Sequence, residues 1–108
     1  MIKVVDVLDR AAEQLDREFA GSKATKGALL NALGLTYRGL GLYDRAEKAH
    51  TKARAVRESA LGPDHPDTLQ SRNNLAVAYV ATGRAAEAVR LHEGTLKLLE
   101  TRLGADHA

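Results

Sequence analysis

The sequence predicts an all-α solenoid of five antiparallel helices, and three observations predict it. The first is an internal repeat. Leu61-Gly62-Pro63-Asp64-His65-Pro66-Asp67-Thr68 returns in its opening as Leu103-Gly104-Ala105-Asp106-His107, an offset of 42 residues. Asn31 and Asn73, Leu33 and Leu75, Tyr37 and Tyr79, Gly41 and Gly83, Ala46 and Ala88, and His50 and His92 keep the same offset. Self-similarity at that period means stacked units, each burying its face only against a neighbour. The second observation is apolar spacing of three and four residues, the stripe of an amphipathic helix. The third is punctuation by Gly, Pro and capping residues between the striped stretches.

The elements follow in order. From about Lys3 to Ala20, Val4, Val5, Leu8, Ala11, Ala12, Leu15 and Phe19 form one stripe, and Glu13 and Arg17 make an i,i+4 pair on the other face. Gly21 is expected to end this helix as a C′ glycine. Ser22 is the expected N-cap of the second helix, and Asp64, 42 residues on, that of the fourth. The second helix runs through Leu29, Leu30, Leu33, Tyr37 and Leu40 to Gly41. Gly34 has Ala76 as its counterpart 42 residues on, and a small residue there lets two helices approach closely. Gly41-Leu42 is a tight turn into the third helix, Tyr43 to Leu61, seamed by Ala46, Ala49, Ala53, Val56 and Ala60. Gly62-Pro63 stops it, and Pro66 suits the first turn of the fourth, where a missing N–H costs nothing. The fourth runs to about Thr82. Gly83 then turns the chain into the fifth, Ala85 to Leu103, with Asp106-His107 expected to begin a further unit.

Composition narrows the function. Hydrophobic content of 44% and charged content of 28% are near the globular norm, so the chain is expected to be ordered. With 4% aromatic residues and no Trp, the core has to be built from closely packed Ala and Leu. A net charge of +2 is not the one-faced basic concentration of a nucleic-acid binder, so no nucleic-acid partner is expected. The absence of Cys removes disulfides, thiolate zinc sites and cysteine nucleophiles; it suits a reducing compartment, and the cytoplasm is the expected location. No run is long and apolar enough for a bilayer or a signal peptide, since Lys3 and Asp6 interrupt Ile2 to Leu8.

Several spaced positions agree twice with the pattern of a known family. Leu33-Gly34, Tyr37, Gly41, Tyr43, Ala46 and Ala53 in one unit, and Leu75-Ala76, Tyr79, Gly83, Ala85 and Ala88 in the next, resemble tetratricopeptide repeats. The long period, the 61–68 linker and Asn73-Asn74-Leu75-Ala76 are similar to the variety found in kinesin light chains. Leu8-Asp9-Arg10-Ala11-Ala12 and the stretch 33–43 are similar to arrays that follow bacterial Ser/Thr kinase domains. The resemblance implies a right-handed solenoid divided as 1–21 (the second helix of a degenerate preceding repeat), 22–62 and 63–104 (two full repeats), and 105–108 (the start of another). Thr95 for the usual Ala, and Arg72 for an apolar residue, depart from the pattern and imply a slightly loosened second repeat. The kinase signatures (a Gly-rich loop with its lysine, His-Arg-Asp, Asp-Phe-Gly) are absent, so the chain is expected to be a non-catalytic docking module.

In this family the first helix of each hairpin lines a concave, peptide-binding face. On matching positions that face takes Ala28, Asn31, Leu35 and Arg38, then Gln70, Asn73, Val77 and Val80. Asn31 and Asn73 would form a ladder of amides, each able to donate to a peptide carbonyl and accept from an N–H, or else bond neighbouring backbone. Arg38 would hold a carboxylate. Leu33, Gly34, Tyr37, Ala46, Ala53, Leu75, Ala76, Tyr79 and Ala88 are the repeat-packing set. His50 and His92 are expected as partly buried packing residues, and His65 and His107 as linker-turn residues. Neither pair brings a carboxylate at metalloprotease spacing, so no metal or other cofactor is expected. Asp64 and Asp67 read as helix-start residues, and Ser22, Ser59 and Ser71 lack a nucleophile's context. Lys23, Lys26, Lys48, Lys52, Arg54 and Arg57 make the most basic surface, a solvated face or a site for an acidic partner.

Repeat arrays need about three units and polar caps. The fifth helix is therefore expected to leave Val89, Leu96 and Leu99 uncovered, a strip for self-association or for a partner.

Overall fold

The computed structural model describes residues 2–106, in which α1 (Val4–Arg17), α2 (Lys23–Gly39), α3 (Tyr43–Leu61), α4 (Pro66–Ala81) and α5 (Ala85–Asp106) follow one another. No strand occurs among the described residues. Helices pack mainly on their neighbours in the chain, α1 on α2, α2 on α3, α3 on α4 and α4 on α5. The result is an all-α solenoid, elongated to 59 × 34 × 17 Å. Its radius of gyration, 14.8 Å, exceeds the ~13 Å of a compact domain of this length.

Two equivalent turns set the hairpins. Gly41 (φ 77°) and Gly83 (φ 81°) adopt the left-handed conformation that L side chains resist. Each follows its helix as the C′ residue of a Schellman motif. Gly41 N–H donates to Arg38 O (3.0 Å) and Leu42 N–H to Tyr37 O (2.9 Å); Gly83 N–H donates to Val80 O (3.1 Å) and Arg84 N–H to Tyr79 O (2.7 Å). The motif's accompanying contact differs between the two. Leu42 packs on the buried cluster of Tyr37, Ala46 and Ala49, whereas the Arg84 guanidinium sits 4.8 Å from the centre of the Tyr79 ring.

Small side chains form the seam. Ala46, Ala49 and Ala53 of α3, Ala76 and Ala78 of α4, and Ala88 of α5 are buried, as is Gly34. Leu30 and Leu75 are fully enclosed, each contributing about 2 kcal/mol by burial. Polar ties reinforce the junctions between elements. Arg57, buried on α3, donates through Nη1 to Asp67 O (3.0 Å), Gln70 Oε1 (3.1 Å) and Ser71 Oγ (2.9 Å) of α4. Asp9 of α1 accepts from Tyr37 Oη (2.5 Å) and from Arg45 Nε (3.1 Å), and Asp16 pairs with Lys52.

Several expectations are corrected. The first helix ends at Arg17, and Gly21 is not its left-handed cap: a Cβ there would lie 2.5 Å from the Phe19 ring, so Gly21 makes room for Phe19 folding back. Ser22 does cap α2, its Oγ accepting from Thr25 N–H (3.2 Å). The cap of α4 is His65, not Asp64; its Nδ1 accepts from Asp67 N–H (3.1 Å). Pro66 at the first helical position explains this, because it keeps the residue before it extended (His65 ψ 140°) and so makes that residue the cap. The fifth helix does not stop near Leu103 but continues through Gly104 to Asp106. Gly62 is barred from the helix by Pro63 after it, whereas Gly104 is followed by Ala105. His107 lies outside the described residues.

The two departures from the family pattern meet each other instead of loosening the second repeat. Arg72 Nε donates to Thr95 Oγ1 (2.8 Å) and Nη2 to Leu91 O (3.2 Å), and Nη1 lies 3.5 Å from Glu58 Oε1. Gly94 makes the space, since a Cβ there would lie 2.7 Å from Arg72 Nη2. The expected basic surface is also broken up: Arg57 is buried, Lys52 pairs with Asp16, and Arg54 with Glu58.

Candidate functional site

The second helix and the fourth each present one exposed row. On α2 the row is Ala28, Leu35 and Arg38, with Leu35 and Arg38 one turn apart; on α4 it is Gln70, Asn73 and Val80, with Val77 half-buried among them. Spacings of three and four residues keep each row on one helix face. A groove of about 550 Å³ gathers Arg38 of α2, Tyr43 at the start of α3, Ala76, Val77, Val80 and Ala81 of α4, and His92 of α5. The structure therefore brings Arg38 and Val77 together. Leu35, Gln70 and Asn73 lie outside that groove's lining, along the same two helices.

Asn31 is placed differently from the expectation. It is only 7% exposed, and its Oδ1 accepts from Asn74 Nδ2 at 2.9 Å. The amide pair that forms links the two repeats through Asn31 and Asn74, while Asn73 faces solvent, so no ladder of Asn31 and Asn73 exists. Asn73 keeps the 42-residue register of Gly41 and Gly83, and it is its neighbour on α4, Asn74, whose side chain meets Asn31.

Arg38 forms no ion pair among the described residues. Its charge is available to a ligand, and it is felt by His50. Burial first, then the charges of Arg38 and Arg57, push the His50 imidazole down to about 4. At neutral pH the ring is uncharged, 1% exposed and without a protein hydrogen-bond partner at either nitrogen, so it has no route to exchange protons with a substrate. A Cβ at Gly34 would lie 2.5 Å from that ring. Ala76 holds the equivalent place in the second hairpin, and there His92 is exposed, against the expectation of a packed residue. Ala76 carries the Cβ that Gly34 lacks, His92 lines the groove beside it, and no described helix covers that side of α5. This Gly-to-Ala difference was the available sequence signal for His92 in the groove. Tyr43 carried no such signal, since its repeat position explained it.

The remaining candidates have structural partners. Ser71 is buried under Arg57, Ser59 accepts from Lys23 Nζ (3.3 Å), and Asp64 O accepts from Arg102 Nη1 (3.0 Å). No group of three or more metal-ligating side chains occurs among the described residues. No described helix is long and apolar enough to cross a membrane.

An elongated stack of helical hairpins with an open groove across their first helices defines a repeat-type binding module. The tetratricopeptide repeat family model matches residues 25–101, and the chain belongs to that family. It is of the kinesin-light-chain variety. The protein KINESIN LIGHT CHAIN-RELATED 3 of Arabidopsis thaliana is 36% identical over 78 residues, 72% of this chain and 12% of that protein. KINESIN LIGHT CHAIN-RELATED 2 of the same plant is 34% identical over 87 residues, 79% of this chain and 13% of its own length. Nephrocystin-3 of Xenopus tropicalis is 35% identical over 85 residues, 77% of this chain and 6% of that protein. The chain thus spans a small part of each relative's length. Membership of this family makes it a protein–protein interaction module and not an enzyme.

Proposed function

We propose that the exposed rows of α2 and α4 bind a segment of a partner protein that carries a carboxylate beside apolar side chains. The observation that carries this is Arg38, without an ion pair among the described residues, standing in one groove with Tyr43, Val77 and Val80. A carboxylate over Arg38 gains a charge-assisted bond, and an adjacent apolar side chain removes Val77 and Val80 from water. Leu35, Gln70 and Asn73 extend the contact along both helices, with the Asn73 amide able to bond an extended backbone whatever its sequence. Asn31 has no part in this contact. The parent is a larger cytoplasmic regulator, such as a Ser/Thr kinase whose array docks other proteins. The similarity of 8–12 and 33–43 to such arrays supports that context.

The test is selection of peptides from a random library, followed by titration of the best one into isotope-labelled chain. Shifts are expected at Leu35, Arg38, Asn73 and Val77, and Arg38→Ala weakens binding about tenfold. Selected peptides indifferent to both Arg38→Ala and Val77→Asp would end this reading. The exposed apolar residues of α5 favour a second role, self-association through the terminal helices.

A further inference from the structure

The outer face of α5 carries a seam. Val89, His92, Leu96, Leu99 and Leu103 recur at intervals of three, four, three and four residues, the spacing with which one helix meets another along its length. The four apolar members are 54%, 56%, 37% and 56% exposed in that order, while Ala88 is buried and Leu91 and Leu98 are half-buried. At the other end of the stack a groove of about 620 Å³ lies between α1 and α2, with Ala11, Leu15 and Phe19 on one wall and Leu29, Ala32 and Leu33 on the other. Val89 to Leu103 spans about 20 Å of helix, as does the whole of α1 (Val4–Arg17), whose C-terminal half, from Ala11 on, forms the groove wall.

Their charges match as well. Glu93 and Glu100, seven residues apart, border the seam on the side away from α4. Lys3, Arg10 and Arg17, also at seven-residue intervals, border the exposed Val4-Val7 side of α1 away from α2. None of these five side chains has an ion-pair partner among the described residues. Arg90 and Lys97 lie one step further round α5, as Asp6 and Glu13 do round α1, so the order of signs is complementary in the second row too.

We propose that the chain assembles head to tail, the α5 seam of one copy lying antiparallel to α1 in the α1/α2 groove of the next, with Glu93 and Glu100 beside Arg10 and Arg17. This rests on the self-association reading and commits it to one geometry. Alpha-helices α2 and α3 supply the precedent for the direction: α2 runs antiparallel to α3 while its Asn31 reaches Asn74 of α4, and the incoming α5 would sit on α1 and α2 in the same way. Two different faces meet, so the contact does not close into a pair, and copies add in an open row.

Sedimentation of the 108-residue chain from low micromolar to near-millimolar concentration tests it. The average mass is expected to rise past the dimer without a plateau. Leu96→Asp with Leu99→Asp blocks the seam, and Leu29→Asp with Ala32→Asp blocks the groove. Each variant alone is expected to be a folded monomer by circular dichroism, and an equimolar mixture forms a heterodimer and nothing larger. Arg10→Glu with Arg17→Glu weakens assembly, and Glu93→Arg with Glu100→Arg in the same chain restores it. A seam variant that is monomeric while the groove variant assembles like the parent chain, or a mixture that stays monomeric, overturns the head-to-tail geometry and leaves self-association standing. A strict monomer throughout for the unmodified chain overturns both.

Discussion

His50 and Gly34 show how one missing methyl group decides what a neighbouring side chain does. A Cβ at position 34 would sit 2.5 Å from a ring that is itself enclosed. Gly34→Ala is therefore expected to destabilise by about 1–3 kcal/mol despite better helix propensity, the usual cost of overpacking. Gly39→Ala, with open space around the added group, should instead stabilise by up to about 1 kcal/mol. Urea midpoints of the two variants check this, and a stable Gly34→Ala would mean that the imidazole has another place to go. The same ring sets a pH dependence. Its pKa falls from the ordinary 6.5 to about 4 on folding, so between those values the unfolded chain binds the proton more readily and stability is lost as the pH is lowered. From pH 7 to pH 5 the loss is about 2 kcal/mol. Asp9, held below its usual range by the Tyr37 hydroxyl and Arg45, adds its own loss only below about pH 4, outside this window. His50→Leu should flatten the profile between pH 7 and pH 5 whatever its own stability. The sequence marked both histidines by their period, but burial depends on the opposite residue and on a covering helix, which a period does not encode.

At the scale of the element, ends and partners were less legible than stripes. The five helices and the turns at Gly41 and Gly83 follow directly from apolar spacing and glycine. The stops do not, because they depend on what comes next: Pro63 forbids a helix through Gly62, and Ala105 permits one through Gly104. Arg72 and Thr95 illustrate partnership. Each alone is a departure from the repeat pattern, and only across the α4–α5 contact do they become donor and acceptor, with Gly94 leaving room. A double-mutant cycle of Arg72→Ala and Thr95→Ala should give a coupling of about 1 kcal/mol. A coupling near zero would mean that the Arg72 contacts to Leu91 O and Glu58 hold it without Thr95. Arg57→Ala should be more costly, about 2–4 kcal/mol, since it leaves Ser71 buried without its donor and removes the stem that fills the space beside Gly27. The candidate site was legible as far as the exposed rows, and Asn31 left it because its amide is buried against Asn74 of the next repeat, a pairing between units that a period does not encode.

For the whole molecule, a stack in which helices touch mainly their neighbours has stability that varies along its length. The buried alanines, Leu30, Leu75 and the Arg57 network lie in α2 to α4 and the face of α5 against them. Helix α1 has no buried residue and is held by half-buried Val5 and Leu8 together with three polar ties: Tyr37 to Asp9, Arg45 to Asp9 and Lys52 to Asp16. Two of these ties are exposed ion pairs, each contributing at most about 1 kcal/mol and screened by salt. Opening of α1 should therefore cost far less than unfolding of the remaining stack, and its amides should exchange with deuterium well before those of α3 and α4. Raising the ionic strength should speed exchange in α1 selectively. Tyr37→Phe with Asp16→Asn should do the same while leaving α4 amides nearly unchanged, because neither substitution touches the α3–α4 junction. Equal protection along the whole chain, unaffected by salt, would show instead that the helices unfold as a single cooperative unit, and α1 would then belong to the core of the stack and not to its loosely held end.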